Sequence, residues 1–328
     1  MKILVIFTGG TIGSIESNGW IANDSKTNYT LLENYKDSSK DRETEFDTIE
    51  PYSILSENLS YKEINMLSEK VIEKIDCGYD GIIITHGTDS LHYTAAALSY
   101  MLSDCRIPVV LVSSDYPLSD DRANGNANFR AAVEFIKSGI SGGVFVSYKN
   151  ATDRNAMIHL GVRLSQYTEA TANLRSIDGE HYAIYDGIIK KNPNFSEGVA
   201  DVAVSRTELV PAPHIKVIES RPGDDFGYCL DGIKAVILRP YHSGTLNTES
   251  ENFRVFCKKA EEKNVPVFLV NISAGVKYAS SKLFDDLHIE VLPNCSFAAI
   301  YMKCWLSESL GADIRSFVKK PIAREFCE

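Results

Sequence analysis

The residues of this chain that could carry out chemistry cluster in three short turns, each directly after a strand-like apolar run. The turns span residues 8–14 (Thr-Gly-Gly-Thr-Ile-Gly-Ser), 85–90 (Thr-His-Gly-Thr-Asp-Ser) and 113–115 (Ser-Ser-Asp). In open parallel sheets, ligands bind beyond the carboxyl ends of the strands. Glycines in such turns let the backbone come close to a ligand. We therefore expect the three turns to meet at one sheet edge.

Thr11 and Thr88 are the candidate nucleophiles of these turns. A threonine hydroxyl is a weak nucleophile at neutral pH and needs a neighbour that accepts its proton. Asp89 could orient a hydroxyl or hold a substrate ammonium group, because an ionised carboxylate only accepts hydrogen bonds. An alternative role for Asp89 or Ser90 is to cap the helix predicted to begin near residue 90, a contribution of about 1 kcal/mol.

Other kinds of site have weaker support in the sequence. The spacing of Gly9, Gly10 and Gly13 differs from the Gly-x-Gly-x-x-Gly pattern of dinucleotide-binding folds. The 7 histidines and 7 cysteines are scattered, without the spacing of a zinc site. We therefore expect neither a zinc site nor a dinucleotide site.

The elements that must position the turns alternate along the chain. Apolar runs predict strands and helical periods predict helices, with strands at 2–7, 81–85, 108–112 and 143–147 and helices at 61–76, 91–102 and 123–136. A hairpin is predicted around Asp186-Gly187, and a second alternating set follows from residue 215. Continuous apolar strands indicate a parallel sheet covered on both faces. The predicted fold is α/β, with two α/β domains whose mainly parallel sheets are covered by helices.

The predicted domains are an N-terminal α/β domain over residues 1–191, which carries the nucleophile turns, and a C-terminal α/β domain over residues 214–328. Residues 192–213 contain Pro193, Pro211 and Pro213 and little periodicity, which favours a linker.

Charge and composition limit the partners. The 328 residues include 34 Lys and Arg against 44 Asp and Glu, a net charge of −10. Because broad contact with a phosphate backbone needs clustered cations, we expect no nucleic-acid partner. No apolar run approaches the roughly 20 residues that span a bilayer, so we expect no membrane association. The odd number of scattered cysteines favours the reducing cytoplasm.

The turns at 8–14 and 86–90 together resemble the two signature turns of the bacterial-type L-asparaginase family. Further segments are similar to that family in the same order along the chain: 56–59 (Ser-Glu-Asn-Leu), 116–125, 238–241 (Leu-Arg-Pro-Tyr) and 278–280 (Tyr-Ala-Ser). The resemblance implies a two-domain α/β amidohydrolase that converts L-asparagine, or a related small amide, to L-aspartate and ammonia. It also implies a homodimer or homotetramer, with an amino-acid amide as small-molecule substrate. The same resemblance implies that the reaction needs no metal and no cofactor.

The resemblance assigns roles residue by residue. Thr11 matches the nucleophile that forms a β-acyl-enzyme, and Thr88 matches a second catalytic threonine. Asp89 matches the ligand of the substrate α-ammonium group, and Ser56 matches a ligand of its α-carboxylate. Glu57 stands where a polar neighbour contacts the α-amino end.

The same resemblance implies that backbone amides near Thr11 and Thr88, in the turns of Gly10 and Gly87, stabilise the oxyanion. Such donors contribute about 3–4 kcal/mol at comparable sites.

This sequence departs from the family at its catalytic lysine. The matching segment is 163–168 (Arg-Leu-Ser-Gln-Tyr-Thr), which places Gln166, or Ser165 with a different gap, at the lysine position. A glutamine amide does not accept a proton at neutral pH, and loss of a general base costs roughly 10²–10⁴-fold in rate. Lys149 is a candidate replacement, and a solvated lysine at a strand end is the alternative for that residue.

The family also has a lid tyrosine that bonds the nucleophile. Gly19 aligns Trp20 with it, whereas Tyr29 supplies a hydroxyl if the lid is longer. Residues 16–40 are polar and show no apolar period, so they are predicted to be either a lid or an ordinary exposed loop.

Two further functions remain open from the sequence. Gln166 favours a catalytically impaired relative that binds an amino acid or a partner without efficient turnover. The side chains of Glu57, Asp115 and Gln166 differ in chemistry from the common pattern of the family. This difference instead favours hydrolysis of a different amide.

Overall fold

The computed structural model describes residues 1–17, 19–23, 25–39, 41–166, 171–204, 206–270 and 278–327. The chain divides into two compact units. The first comprises residues 1–196 and 203–206, and the second comprises residues 197–202 and 207–328. The chain passes between the two units within residues 192–213, and the predicted bounds of the two domains and their linker stay a prediction.

The N-terminal unit combines strands with α-helices and short 3-10 turns. Its strands are β1 (Lys2–Ile6), β2 (Ser14–Ser17), β3 (Trp20–Asn23), β4 (Glu45–Ile49), β5 (Gly81–Thr85), β6 (Pro108–Val112), β7 (Gly143–Tyr148), β8 (Ala156–Leu160), β9 (Leu164–Gln166), β10 (Leu174–Ser176), β11 (Ala183–Tyr185) and β12 (Ile189–Lys191). Its helices are α1 (Ser25–Ser38), α2 (Tyr61–Lys74), α3 (Leu91–Met101) and α4 (Gly125–Ser138). The 3-10 turns are Thr11–Gly13, Ser56–Asn58, Gly161–Arg163 and Ile177–Gly179.

An eight-stranded sheet in the order β12-β11-β8-β7-β6-β5-β1-β4 is the frame of this unit. The strands from β4 to β7 are parallel, which confirms the predicted parallel sheet. β8, β11 and β12 extend it in antiparallel fashion, and β11 and β12 form the predicted hairpin. Parallel neighbours end at the same edge, so the turns after β1, β5 and β6 start side by side.

The core of this unit follows from the apolar strands. Every residue of β5 and β6 is buried, as expected for strands covered on both faces. Ile82 and Ile84 belong to a cluster that includes Leu98 of α3. Successive side chains of a strand point to opposite faces, and α4 packs against β6 and β7 through buried residues such as Phe129. The sheet therefore holds the turns on a rigid support.

The prediction for residues 16–40 was wrong in its secondary structure. Instead of an irregular loop, the described part of this segment contains the hairpin of β2 and β3 and the helix α1. Three apolar side chains, Leu31, Leu32 and Tyr35, are buried and dock α1. The Tyr35 ring lies edge-on to Phe46 and Phe129, at centroid distances of 5.6 and 5.7 Å. Tertiary contacts thus stabilise a helix whose own sequence is mostly polar.

The C-terminal unit has a smaller, fully parallel sheet in the order β13-β14-β15-β16. Its strands are β13 (Ile215–Glu219), β14 (Ala235–Arg239), β15 (Val267–Leu269) and β16 (Ile289–Val291), and its helices are α5 (Glu251–Glu262), α6 (Phe297–Ser309) and α7 (Ile314–Lys319). The 3-10 turn Ala279–Leu283 precedes β16. Separate apolar clusters, one with α5 and one with α6, cover the two faces. The described helices of both units are too short or too polar to cross a membrane.

Candidate active site

Two glycines bring the first two turns into direct contact. β1 and β5 are parallel neighbours with Ile6 opposite Ile84, so the segments that follow them run side by side. Gly10 has a φ of +77°, and a Cβ atom on it would lie 2.3 Å from the backbone nitrogen of Gly87. Any larger residue at position 10 would separate the turns that carry Thr11 and Thr88. Convergence of these turns, expected from the sequence, therefore depends on the absence of a side chain here.

Ser56 connects a third segment to the same place. The Gly10 N–H donates to the carbonyl of Ile54 (2.8 Å), which holds the Ser56–Asn58 turn beside the first turn. The Oγ atom of Ser56 accepts a hydrogen bond from the Asp89 N–H (3.2 Å) and would lie 2.3 Å from a Cβ on Gly87. Ser56 is buried, so its hydroxyl is held at the point where the three segments meet.

Among the described residues, the side chains of Thr11, Thr88 and Asp89 have no intramolecular partner. Thr11 and Thr88 are half-buried, and within the described residues neither hydroxyl has a hydrogen bond. The exposed carboxylate of Asp89 likewise forms no hydrogen bond or ion pair within that part of the chain. Polar groups near a buried core usually have partners. Two hydroxyls and one carboxylate thus remain available to a bound molecule.

Helix capping does not account for Asp89 and Ser90. Helix α3 begins at Leu91 with Ser90 at its N-cap, yet the Ser90 side chain caps no helical amide. The Ser90 hydroxyl instead donates to the carbonyl of Ser56 (2.7 Å). The capping alternative is therefore wrong for Ser90, because its hydroxyl joins the second turn to the Ser56 segment. No signal in the local sequence distinguishes these two uses of a serine.

Gln166 reaches the second turn from a distant part of the chain. Its Nε2 atom donates to the backbone carbonyl of Asp89 at 3.1 Å. The neighbouring Ser165 hydroxyl donates to the carbonyl of Gln166 (3.3 Å). Residues 167 and 168 of the matching segment lie outside the described residues. Position 166 therefore adjoins the residue that follows Thr88.

Lys149 lines a separate cleft, together with Arg130 and Arg154. Thr11, Thr88 and the other candidate site residues do not line that cleft. Its position gives no support to a role as the missing base.

The two candidate lid residues lie on different elements. Trp20 begins β3 and Tyr29 belongs to α1, and both elements pack against the Thr11–Gly13 turn. Trp20 is 78% exposed and Tyr29 is 58% exposed. The Tyr29 ring lies 6.3 Å from the ring of Phe7, directly after β1. Tyr29 is thus the candidate with both a hydroxyl and a ring contact to Phe7, the residue that leads from β1 into the first turn.

Glu57 and Asp115 lie in the neighbouring loops. Glu57 is exposed on the Ser56–Asn58 turn. Asp115 exchanges hydrogen bonds with Asn124, since its N–H donates to Asn124 Oδ1 (3.0 Å) and its Oδ1 accepts from the Asn124 N–H (3.2 Å). Burial raises the pKa of Asp115 above its usual value. Asn124, which the sequence analysis did not single out, also donates to the carbonyl of Lys149 (2.7 Å) and braces this third turn.

His86 locks the backbone of the second turn. Its Nδ1 atom lies 2.8 Å from the carbonyl of Gly87, and its Nε2 atom lies 2.9 Å from the hydroxyl of Thr94. A carbonyl only accepts hydrogen bonds, so Nδ1 carries the proton and Nε2 accepts from Thr94. Burial lowers the pKa of His86 to about 4. The imidazole is therefore neutral and structural at physiological pH. Among the described residues, no cluster of His, Cys, Asp and Glu could hold a metal ion.

We expect the folded state to lose stability as the pH falls from about 6.5 to 4, because the unfolded chain then binds a proton that folded His86 does not. The shift corresponds to a contribution of about 3 kcal/mol. Unfolding free energies measured by urea titration across this range should fall less steeply in His86→Gln than in the wild type. His242→Gln, at an exposed position, serves as the control. Equal pH slopes in wild type and His86→Gln would contradict the assignment.

Comparison with known proteins agrees with this geometry. The protein-family model of the N-terminal asparaginase domain matches residues 2–194 of this chain. The L-asparaginase of Thermococcus kodakarensis is 28% identical over 283 residues, which cover 84% of this chain and 82% of the relative. A glutamyl-tRNA(Gln) amidotransferase chain of Methanobrevibacter smithii is 28% identical over 355 aligned positions, covering 100% of this chain and 77% of the relative. The corresponding chain of a Methanococcus maripaludis strain is 41% identical over 230 residues, covering 66% of this chain and 53% of the relative.

Solved structures share the fold over the whole chain. The T. kodakarensis L-asparaginase superposes with a TM-score of 0.80 at 25% identity and covers 100% of both chains. L-asparaginase I of Vibrio cholerae has a TM-score of 0.78 at 21% identity, covers 100% of this chain and 99% of its own, and shows the fold alone. The two-unit α/β architecture and the family model over residues 2–194 lead to one conclusion: this chain belongs to the asparaginase family.

Proposed function

We propose that this protein hydrolyses the side-chain amide of L-asparagine, or of a related small amide, to the carboxylate and ammonia. The observation that supports the proposal is the contact between Gly10 and Gly87, which joins the turns that carry Thr11, Thr88 and Asp89. Within the described residues, the side-chain oxygens of these three residues have no intramolecular partner. Hydrolysis by way of an ester needs a hydroxyl nucleophile and a second polar group nearby, and this arrangement supplies both.

In the proposed reaction, the Thr11 hydroxyl oxygen attacks the amide carbon of the substrate. Its proton passes to the leaving nitrogen, which departs as ammonia and leaves an ester on Thr11. Water then adds to the ester, the carbon–oxygen bond to Thr11 breaks, and the hydroxyl regains a proton. Thr88 orients the attacking water, and backbone amides of the two turns stabilise the oxyanion of each step, a contribution of about 3–4 kcal/mol.

The other site residues bind the amino-acid part of the substrate. The Asp89 carboxylate is exposed and unpartnered in the described structure, so it can hold an α-ammonium group at little cost in desolvation. The Ser56 hydroxyl accepts from the Asp89 amide and can donate its own proton to an α-carboxylate. Glu57, exposed on the same short turn, is the proposed polar neighbour of the α-amino group. We propose Tyr29 as the residue that closes over Thr11.

A second function is favoured by the relatives that are named as components of a glutamyl-tRNA(Gln) amidotransferase. One of them aligns with the whole of this chain, and another is 41% identical over two thirds of it. This chain would then supply ammonia from an amide donor to a partner protein. Without that partner, it would hydrolyse the amide only slowly. Gln166 at the lysine position is consistent with slow turnover, because a glutamine amide accepts no proton. Assembly as a homodimer or homotetramer and a cytoplasmic location stay predictions.

Ammonia release from asparagine, glutamine and small amide derivatives separates these functions. Asparagine hydrolysis by the purified chain, saturating with substrate concentration, is the expected result. Titration calorimetry with aspartate and asparagine should be run in parallel. Stoichiometric binding without turnover would reject free-standing hydrolysis and favour the amidotransferase-like or binding function. If the chain neither binds nor hydrolyses any of these molecules, the amino-acid site itself is rejected.

A further inference from the structure

A cleft of about 400 Å³ opens in the N-terminal unit, away from the candidate site residues. Its walls come from the end of α1, the first half of α4, the segment after β7, the start of β8 and the turn between β11 and β12. Three cationic side chains line it: Arg130, Lys149 and Arg154. Arg130 comes from α4, whereas Lys149 and Arg154 both come from the segment between β7 and β8, so the fold brings these two parts of the chain together.

These three positive charges have no paired carboxylate within the part of the chain that the structure describes. Within the described residues, none of Arg130, Lys149 and Arg154 forms an ion pair. Arg130 donates to a neutral acceptor, the hydroxyl of Ser38 (2.6 Å), and its guanidinium lies 6.0 Å from the centre of the Tyr35 ring. The chain as a whole carries a net charge of −10, so an uncompensated basic cluster is a local departure from its charge balance.

The single acidic residue among the described residues that line the cleft is already paired. Asp186 accepts a hydrogen bond from Lys190 Nζ at 2.6 Å, an exposed ion pair that joins the β11–β12 turn to β12. Its carboxylate therefore offsets Lys190 rather than the cations across the cleft. Like charges that share a cleft repel one another, and an anion between them stabilises the arrangement.

We infer that this cleft binds a small molecule that carries phosphate groups. Arg130 and Arg154 present planar guanidinium groups, which bind phosphate oxygens in a bidentate manner, and Lys149 adds a compact point charge. A volume of about 400 Å³ lies within the range of small-molecule pockets, roughly 300–1,000 Å³. Neutral hydrogen-bonding residues line the remainder of the wall and suit the uncharged part of such a ligand; they include Asn126, Asn155 and Tyr185.

The site is independent of the proposed amide hydrolysis. The site also gives Lys149 a role other than that of the catalytic base for which the sequence offers it, because Lys149 lines this cleft and Thr11 and Thr88 do not. A ligand here would contact α4, whose first residue adjoins the loop braced by Asn124.

Isothermal titration calorimetry with pyrophosphate tests this inference on the intact chain. We expect saturable binding to the wild type at low salt, weakened at least tenfold in each of Arg130→Gln and Arg154→Gln, and weakened by added salt. Lys62→Gln removes one exposed positive charge from α2, outside the cleft, and should change the affinity less than twofold. Circular dichroism verifies the folding of each variant, and Lys149→Gln replaces any variant that does not fold.

The outcomes separate the possible ligands. If ATP binds more tightly than pyrophosphate, the ligand of the cleft is a nucleotide. If the two bind equally, the cleft recognises the phosphate chain alone. No pyrophosphate binding by the wild type would overturn the inference. Equal weakening by Lys62→Gln would overturn it as well, since only the overall charge would matter, and so would succinate that binds as tightly as pyrophosphate. Asparagine hydrolysis should be unchanged in Arg154→Gln, so failure here is distinct from failure of the proposed function.

Discussion

Replacing Thr11 with alanine is expected to lower kcat/KM for amide hydrolysis by at least about 10³-fold, because the covalent step loses its attacking oxygen. The backbone should tolerate the change, since the Thr11 hydroxyl has no hydrogen bond within the described residues that the variant would break. Steady-state ammonia release and urea unfolding of the same preparation measure the two effects separately. The unfolding free energy should change by less than about 1 kcal/mol.

Two variants make this test specific. Thr11→Ser keeps a hydroxyl and should retain measurable activity, whereas Thr152→Ala removes an exposed threonine elsewhere in the unit and should have no effect. Trapping with a reactive amide analogue followed by mass spectrometry should label the wild type at Thr11. Unchanged ammonia release by Thr11→Ala would reject Thr11 as the nucleophile, whatever the behaviour of the serine variant.

Replacing Gln166 with lysine should raise kcat by about 10²-fold, because it introduces a group that can accept a proton beside the second turn. The Gln166 amide already lies 3.1 Å from the carbonyl of Asp89, next to Thr88, so a lysine side chain of similar length reaches the same region. Only the neutral amine acts as a base, and an ordinary lysine has a pKa of about 10.4. The gain should therefore increase with pH, which a pH profile of kcat measures.

Gln166→Met is the matched control for this experiment, since it keeps the length of the side chain but neither donates to Asp89 nor accepts a proton. It should be no more active than the wild type and should show no new rising limb in the pH profile. If the lysine variant behaves like the methionine variant, a base at position 166 does not serve the reaction. The proposed site would then need its proton acceptor from another residue.

Many of the strands and helices can be predicted from local sequence, because the central strands are buried on both faces of the sheet. The Ile82-Ile83-Ile84 run predicts β5, and the period of residues 61–76 predicts α2, whose last helical residue is Lys74. Helix α1 escapes such reasoning, since Leu31, Leu32 and Tyr35 are its few buried apolar side chains and their burial depends on partners far along the chain. Half-polar strands at the edge of a sheet escape as well. β4 (Glu45–Ile49), for example, is half-polar and pairs on one side only among the described strands.

The candidate site, too, can be predicted only in part from local sequence. Residue types at strand ends are a local property, so the sequence by itself offers Thr11, Thr88 and Asp89 as a candidate threonine-based site. Local sequence also shows that position 166 is glutamine, but not what its amide contacts.

Only the folded chain decides which of these groups meet. The backbone contact between Gly10 and Gly87 joins two turns that are far apart in sequence, and Gln166 reaches Asp89 from 77 residues away. Lys149, which is closer to Gln166 in sequence than Asp89 is, lies instead in the basic cleft. The physical reason is that strand order and register, set by burial across the whole sheet, determine which segment ends are neighbours, and separation along the chain does not.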